Sequence, residues 1–143
     1  MSSQDNTQRL ERRRVLIADD DPDVRVLCTT ALSRAGYEVE AAADGRDALL
    51  KVEHNTYHAV LLDLSMPYVH GATLLSILGQ TKPEMLRRVL VITGATEAAI
   101  DPIIGVVGAV LRKPLSVDTL IQVVDQTGIG DHFDETVRVA ASS

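Results

Sequence analysis

Apolar residues fall along this chain in short unbroken runs, each closing on a charged or hydroxylated residue. Val15–Ala18 runs into Asp19, Asp20 and Asp21. Ala59–Leu62 ends on Asp63, the Val/Leu/Ile run of Arg88–Ile92 ends on Thr93 and Gly94, and Ala109–Leu111 leads to Arg112, Lys113 and Pro114. Runs of this length without polar alternation predict strands buried on both faces, as in parallel sheets. A more modest strand is expected over Glu38–Ala42.

Between the runs the period changes to that of a helix. Val24, Leu27, Cys28, Ala31, Leu32 and Ala35 recur at helical spacing, with Asp21 as a cap before Pro22 and Gly36 as the stop. Asp44 and Gly45 open a second helix carrying Ala48, Leu49 and Val52, and Leu74, Ile77 and Leu78 mark a third that stops before Pro83. Ser116 caps a last helix whose stripe is Val117, Leu120, Ile121 and Val124. Strands alternating with helices predict βαβ units: an α/β fold with a parallel sheet and helices on both faces. Right-handed crossovers place every strand's carboxyl end on one side.

One crossover breaks the pattern. Pro102, Gly105 and Gly108 stand among β-branched residues between Thr93 and Lys113, and each glycine costs about 1 kcal/mol of helix propensity. A short helix starting near Pro102, or irregular structure, is expected there. Residues 1–13 read as a polar N-terminal extension, 14–127 as the folded domain and 128–143 as a C-terminal tail after the Gly128-Ile129-Gly130 hinge.

Composition narrows the function. At 143 residues the chain is one domain with a normal core, and with one Phe and no Trp that core is aliphatic. A formal charge of -6 argues against an electrostatic nucleic-acid binder. The arginines at 9, 12, 13 and 14 read as a solvated lead into the first strand. A single cysteine rules out an intramolecular disulfide, and no signal-peptide core or membrane-length apolar stretch exists, so a cytoplasmic protein without membrane insertion is expected.

The strand ends then carry the chemistry. In open α/β sheets ligands bind in the crevice beyond the carboxyl ends of the strands. The predicted topology brings Asp19, Asp20, Asp63, Thr93 and Lys113 to that edge. Two unit charges about 4 Å apart repel by about 4 kcal/mol at an effective dielectric of 20, so three carboxylates need cations. Lys113 supplies one. Mg²⁺, a hard ion that takes carboxylate, water and phosphate oxygens, is the natural second. A lysine and a divalent ion over a carboxylate nucleophile suit phosphoryl transfer to give an acyl phosphate. Taken singly, each residue has a duller reading: a cap, a structural threonine, a solvated lysine. Five suitable types at the ends of successive strands favour the functional one.

The segments VLIADDDPDVR (15–25), LLDLSMPYVHG (61–71), VLVITG (89–94) and LRKPL (111–115) resemble the receiver domain of two-component response regulators, over about residues 14–127. The resemblance implies a flavodoxin-like, doubly wound five-stranded parallel sheet of order 2-1-3-4-5 flanked by five helices. It implies Asp63 as phospho-acceptor, and Mg²⁺ contacted by Asp20, Asp63 and the backbone carbonyl of Ser65, with Asp19 acting through water or orienting the site. Lys113 would pair with the phosphoryl group, the Thr93 hydroxyl would bind it, and the Lys113-Pro114 peptide would be cis. Met66-Pro67 would shape the loop beside the acceptor, with Gly71 allowing entry into the third helix.

The sequence departs from that pattern in places. Val110 stands where the family carries Tyr or Phe, and the crossover before it is about two residues short. His70 replaces an acidic residue at the surface, and Leu115 replaces a common Phe. Acceptor chemistry therefore looks intact while transmission looks altered. The leading expectation is a stand-alone phospho-accepting receiver, no enzyme apart from its own phosphorylation and dephosphorylation. A histidine kinase or phosphotransfer protein would serve it, and it would signal by contact with a downstream protein. The alternative is a phosphorylation-independent scaffold of the same fold. An aspartyl-phosphate phosphatase ranks lower, because Ser65 stands where such enzymes carry a second carboxylate.

Overall fold

A computed structural model of the chain describes residues 14–64, 70–94 and 100–127. Five strands form one parallel sheet: β1 (Arg14–Ala18), β2 (Glu38–Ala42), β3 (Ala59–Asp63), β4 (Val89–Thr93) and β5 (Ala109–Arg112), in the order β2-β1-β3-β4-β5. The expected fold class and strand order are both found. Register aligns Ala18 with Ala42 and Leu62, Asp63 with Ile92, and Thr93 with Arg112, so the strands end nearly level. That levelling brings residues distant in sequence to one lip.

Helices cover both faces. α1 (Pro22–Arg34) and α4 (Val117–Gln126) pack on one, where Cys28, Leu32, Leu120 and Val124 meet Val15, Ile17, Leu61 and Ile92. α2 (Gly45–His54) and α3 (Gly71–Thr81) cover the other, with Val52, Leu74 and Leu78 against Leu16, Val60 and Val91. The caps follow the sequence: Asp21 accepts from Asp23 N–H, Asp44 from Asp47 N–H and Ser116 from Thr119 N–H. Gly36 ends α1 at φ +100°, a conformation that costs a residue with a Cβ. No helix among the described residues is long and apolar enough to cross a membrane.

Several local expectations shift. Leu27, placed on the buried stripe of α1, is 41% exposed, because only Cys28 and Leu32 of that helix lie fully inside. Arg88 belongs to a 3₁₀ turn, Pro83–Arg88, that precedes β4, and donates to the Tyr57 carbonyl. Arg14 is the first residue of β1 and pairs with Glu40 at 3.2 Å, so it is structural and no part of a solvated lead. Residues 101–106 are turns: Ile103 N–H and Ile104 N–H both return to the Ile100 carbonyl, and Val106 N–H to that of Ile103. Over 101–106, after the helical Ile100, the irregular alternative is the one realised. Gly108 then passes so close to the 3₁₀ segment that a Cβ would overlap the Arg87 carbonyl oxygen. Close backbone approach, beyond poor helix propensity, accounts for that glycine.

Candidate functional site

The lip is built from the ends of β1, β3, β4 and β5. Asp19 follows β1 and is buried, and its neighbour Asp20 is exposed. Asp63 closes β3 and Thr93 closes β4, both buried. Lys113 follows β5, and its backbone N–H donates to the Thr93 carbonyl at 3.0 Å, tying the two strand ends together. The Lys113-Pro114 peptide is cis, as the resemblance implied.

The side chains converge. One carboxylate oxygen from each of Asp19, Asp20 and Asp63 lies within 4.8 Å of the other two. Lys113 Nζ sits 3.2 Å from Asp19 Oδ2 and 3.5 Å from Asp63 Oδ2. Four of the predicted residues are thus one cluster, and Thr93 borders it through the backbone of Lys113. Ser65, like Met66 and Pro67, lies outside the described residues.

Charge balance at the lip is incomplete. Burial pushes the Asp19 carboxyl above the usual carboxylate range; a hydrogen bond from Asp21 N–H and the Lys113 charge oppose the shift, and the Asp63 charge adds to it. Burial works against the Lys113 ammonium, but the charges of Asp63 and Asp19 outweigh it and hold Lys113 above its ordinary value. Asp19 Oδ1 accepts the Asp21 N–H at 2.9 Å. Asp19 Oδ2 has no hydrogen-bond partner among the described residues and faces only the Lys113 ammonium, at 3.2 Å. A buried carboxylate oxygen without a hydrogen bond is a costly group. The donor set is all oxygen, it bears excess negative charge, and it includes that orphaned atom. A hard divalent cation such as Mg²⁺ fits it.

Two contributors were not legible as such. Gly71 was expected only to ease entry into α3. A Cβ there would lie 2.6 Å from the Asp63 carbonyl oxygen and 2.7 Å from Leu64 Cα, so the glycine lets α3 start directly against the backbone of Asp63. Its N–H donates to the Leu64 carbonyl at 3.1 Å. Arg25 reaches back from α1, and its Nη1 donates to the Asp19 carbonyl at 2.7 Å. The available signal was its place: a cation in the opening turns of a helix opposes the helix dipole, so it calls for a local acceptor. His70, by contrast, is exposed and caps α3 without a side-chain hydrogen bond, as a surface residue should.

Known proteins resemble this chain in sequence and in fold. The family model described as the response regulator receiver domain matches residues 15–125. A gliding motility regulatory protein of Myxococcus xanthus is 33% identical over 120 residues, which are 81% of this chain and 15% of that protein's length. Among solved structures, the receiver domain of the Francisella response regulator 1452 superposes with a TM-score of 0.71 at 31% identity, over 79% of this chain and 93% of that one. The response regulator TrrA of Thermotoga maritima, solved in complex with Mg²⁺ and beryllofluoride, gives 0.72 at 26% identity, over 80% and 98%. With the sheet order, the acidic lip and the matched span in agreement, this chain belongs to the response regulator receiver domain family.

Proposed function

We propose that the chain is a phospho-accepting receiver in which Asp63 takes a phosphoryl group from a histidine kinase or phosphotransfer protein. Receiver domains are signalling modules of two-component systems that meet such proteins, so the donor would be a phosphohistidine. An Asp63 carboxylate oxygen attacks phosphorus in line; the new P–O bond forms as the P–N bond breaks, and the imidazole leaves. Lys113, which already spans Asp19 and Asp63, is placed to hold a phosphoryl oxygen. Thr93, at the adjoining strand end, would offer its hydroxyl to another. Asp19 and Asp20, with Asp63 and the Ser65 carbonyl, would hold Mg²⁺, which when bound neutralises charge on the phosphoryl oxygens. Hydrolysis of the acyl phosphate by water resets the site.

The observation that carries this reading is the convergence of three carboxylates on a single ammonium at the ends of the strands. Residues 14–127 are assigned to the receiver, with 1–13 and 128–143 as flanks, and the signal is read by a downstream protein through contact. Incubation with acetyl phosphate and Mg²⁺ should add one phosphoryl group by intact mass, and Asp63→Asn should prevent it. No mass gain in the wild-type protein would overturn the reading.

Val110 favours a second reading, a fixed scaffold. It is fully buried beside Val107 and Ile100 on the α3 face, at the position where the family's aromatic ring stands. Branching at Cβ restricts the χ1 of Val110, and it has no ring to swing between two packings. Normal signalling by an Asp63→Ala strain would favour that alternative.

A further inference from the structure

We infer that Arg25 is a positioning residue of the acidic lip, holding the Asp19–Asp20 peptide so that both carboxylates face Asp63. The inference rests on the proposed Mg²⁺-dependent function of that site.

The argument starts where β1 ends. Ala18 is the last residue of β1 paired with its neighbours in the sheet, and the chain must then turn into α1 within three residues. Asp19 N–H still donates to the Ala42 carbonyl at 3.2 Å, and its Oδ1 takes the Asp21 N–H. The Asp19 carbonyl lies past the paired residues and accepts the Arg25 guanidinium at 2.7 Å, a short charge-assisted bond. That carbonyl belongs to the peptide unit joining Asp19 to Asp20. Fixing its plane constrains ψ of Asp19 and φ of Asp20, and hence the direction of the Asp20 side chain. Asp20 is exposed, yet one of its oxygens lies within 4.8 Å of oxygens from Asp19 and Asp63.

Arg25 is itself held in place. It is half-buried and lines an open groove with Pro22, Val26, Thr29, Thr30 and Ala41. Its backbone N–H donates to the Asp21 carbonyl, so the arginine springs from the helical turn that the acidic loop initiates. The loop and its brace therefore form one closed unit.

Positioning can be separated from simpler roles by the sign of the effect. Were Arg25 only a nearby positive charge, its removal would deepen the negative potential and Mg²⁺ would bind more tightly. Were it only part of the fold, stability would fall while the folded protein kept its Mg²⁺ affinity. Positioning predicts weaker binding, by about tenfold, as for other residues that orient metal ligands.

The test is calorimetric titration of the full chain with Mg²⁺ alone, for wild type, Arg25→Met, Arg25→Gln and Arg25→Lys, with thermal midpoints in EDTA alongside. Arg25→Met and Arg25→Gln should bind about tenfold more weakly. Arg25→Lys should recover most of the loss, since one ammonium can replace a single Nη1 bond. Unchanged or tighter binding in a folded Met or Gln variant overturns the assignment. So does a Lys variant no better than Met. If Met does not fold, Gln and Lys decide alone. A wild-type protein that takes up no Mg²⁺ would overturn the proposed function and this assignment with it, whereas wild-type binding with unaltered variants overturns the assignment only.

Discussion

The two ends of the same sheet bury polar groups in opposite ways. At the amino end of β3, His58 Nε2–H donates to the Val124 carbonyl at 2.6 Å, and Tyr37 hydroxyl donates to Asp125. Nearby, the buried Tyr57 hydroxyl donates to Glu40 at 2.6 Å, and Arg14 pairs with the other Glu40 oxygen. Each of these donors meets an acceptor there. At the carboxyl end three like charges share one ammonium, and Asp19 Oδ2 is left without a hydrogen bond. A satisfied buried network fastens elements together; an unsatisfied one stores a demand that a ligand can meet. On this comparison the first end is a clasp joining β2, β3 and α4, and the second is an acidic cluster whose donor set fits a cation.

Substitutions can break that contrast. The largest effect is expected from Lys113→Ala. It should slow phosphorylation by acetyl phosphate roughly 100-fold, as removal of one preorganised donor does. It should also destabilise the metal-free protein by roughly 2–3 kcal/mol, since the acidic cluster loses its ammonium. Saturating Mg²⁺ should restore part of that stability in chemical denaturation. Next comes Gly71→Ala, whose methyl would press on the Asp63 carbonyl oxygen. A loss of about 2 kcal/mol and slower phosphorylation together are expected; loss of stability alone would disconnect the glycine from the proposed acceptor.

Tyr57→Phe tests the clasp. It removes one hydrogen bond to a half-buried carboxylate and should cost about 1 kcal/mol, a few degrees in Tm. Mg²⁺ affinity and phosphorylation should not move, in contrast to every change at the lip. The smallest effect is in the pH dependence of Tm, where the two ends have opposite slopes. Asp19 has a native pKa raised above its ordinary 3.8, so the folded state binds that proton better and stability falls as pH rises through that window. Saturating Mg²⁺ should abolish this fall. His58 has a native pKa lowered from 6.5, chiefly by burial, so stability is lost as pH drops from 6.5 toward the lowered value. His58→Asn should flatten that loss, and Mg²⁺ should leave it unchanged.

Much of this molecule is written locally. The apolar runs at 15–18, 59–62 and 109–111 became strands because continuous burial is a property of the run itself. Asp21, Asp44 and Ser116 became caps because capping needs only the next few residues. The acidic, threonine and lysine set at the strand ends was legible for a related reason: in a parallel sheet with right-handed crossovers, the end of each run has only one edge to go to.

Other features depended on contacts that no local pattern encodes. The clusters of short distances join residues 19, 63 and 113, and their closeness follows from the level register of four strands. The orphaned Asp19 oxygen, the brace from Arg25, and the glycines at 71 and 108 are likewise matters of which backbone comes near which. Leu27 fits the helical stripe yet faces outward, because periodicity names a face and only packing decides how wide the covered part is. The sequence by itself determined the elements, their order and the chemical types at the lip, since these follow from short-range propensity and handedness. Tertiary structure alone decided charge balance and close approach there, since both depend on distances between segments far apart in the chain.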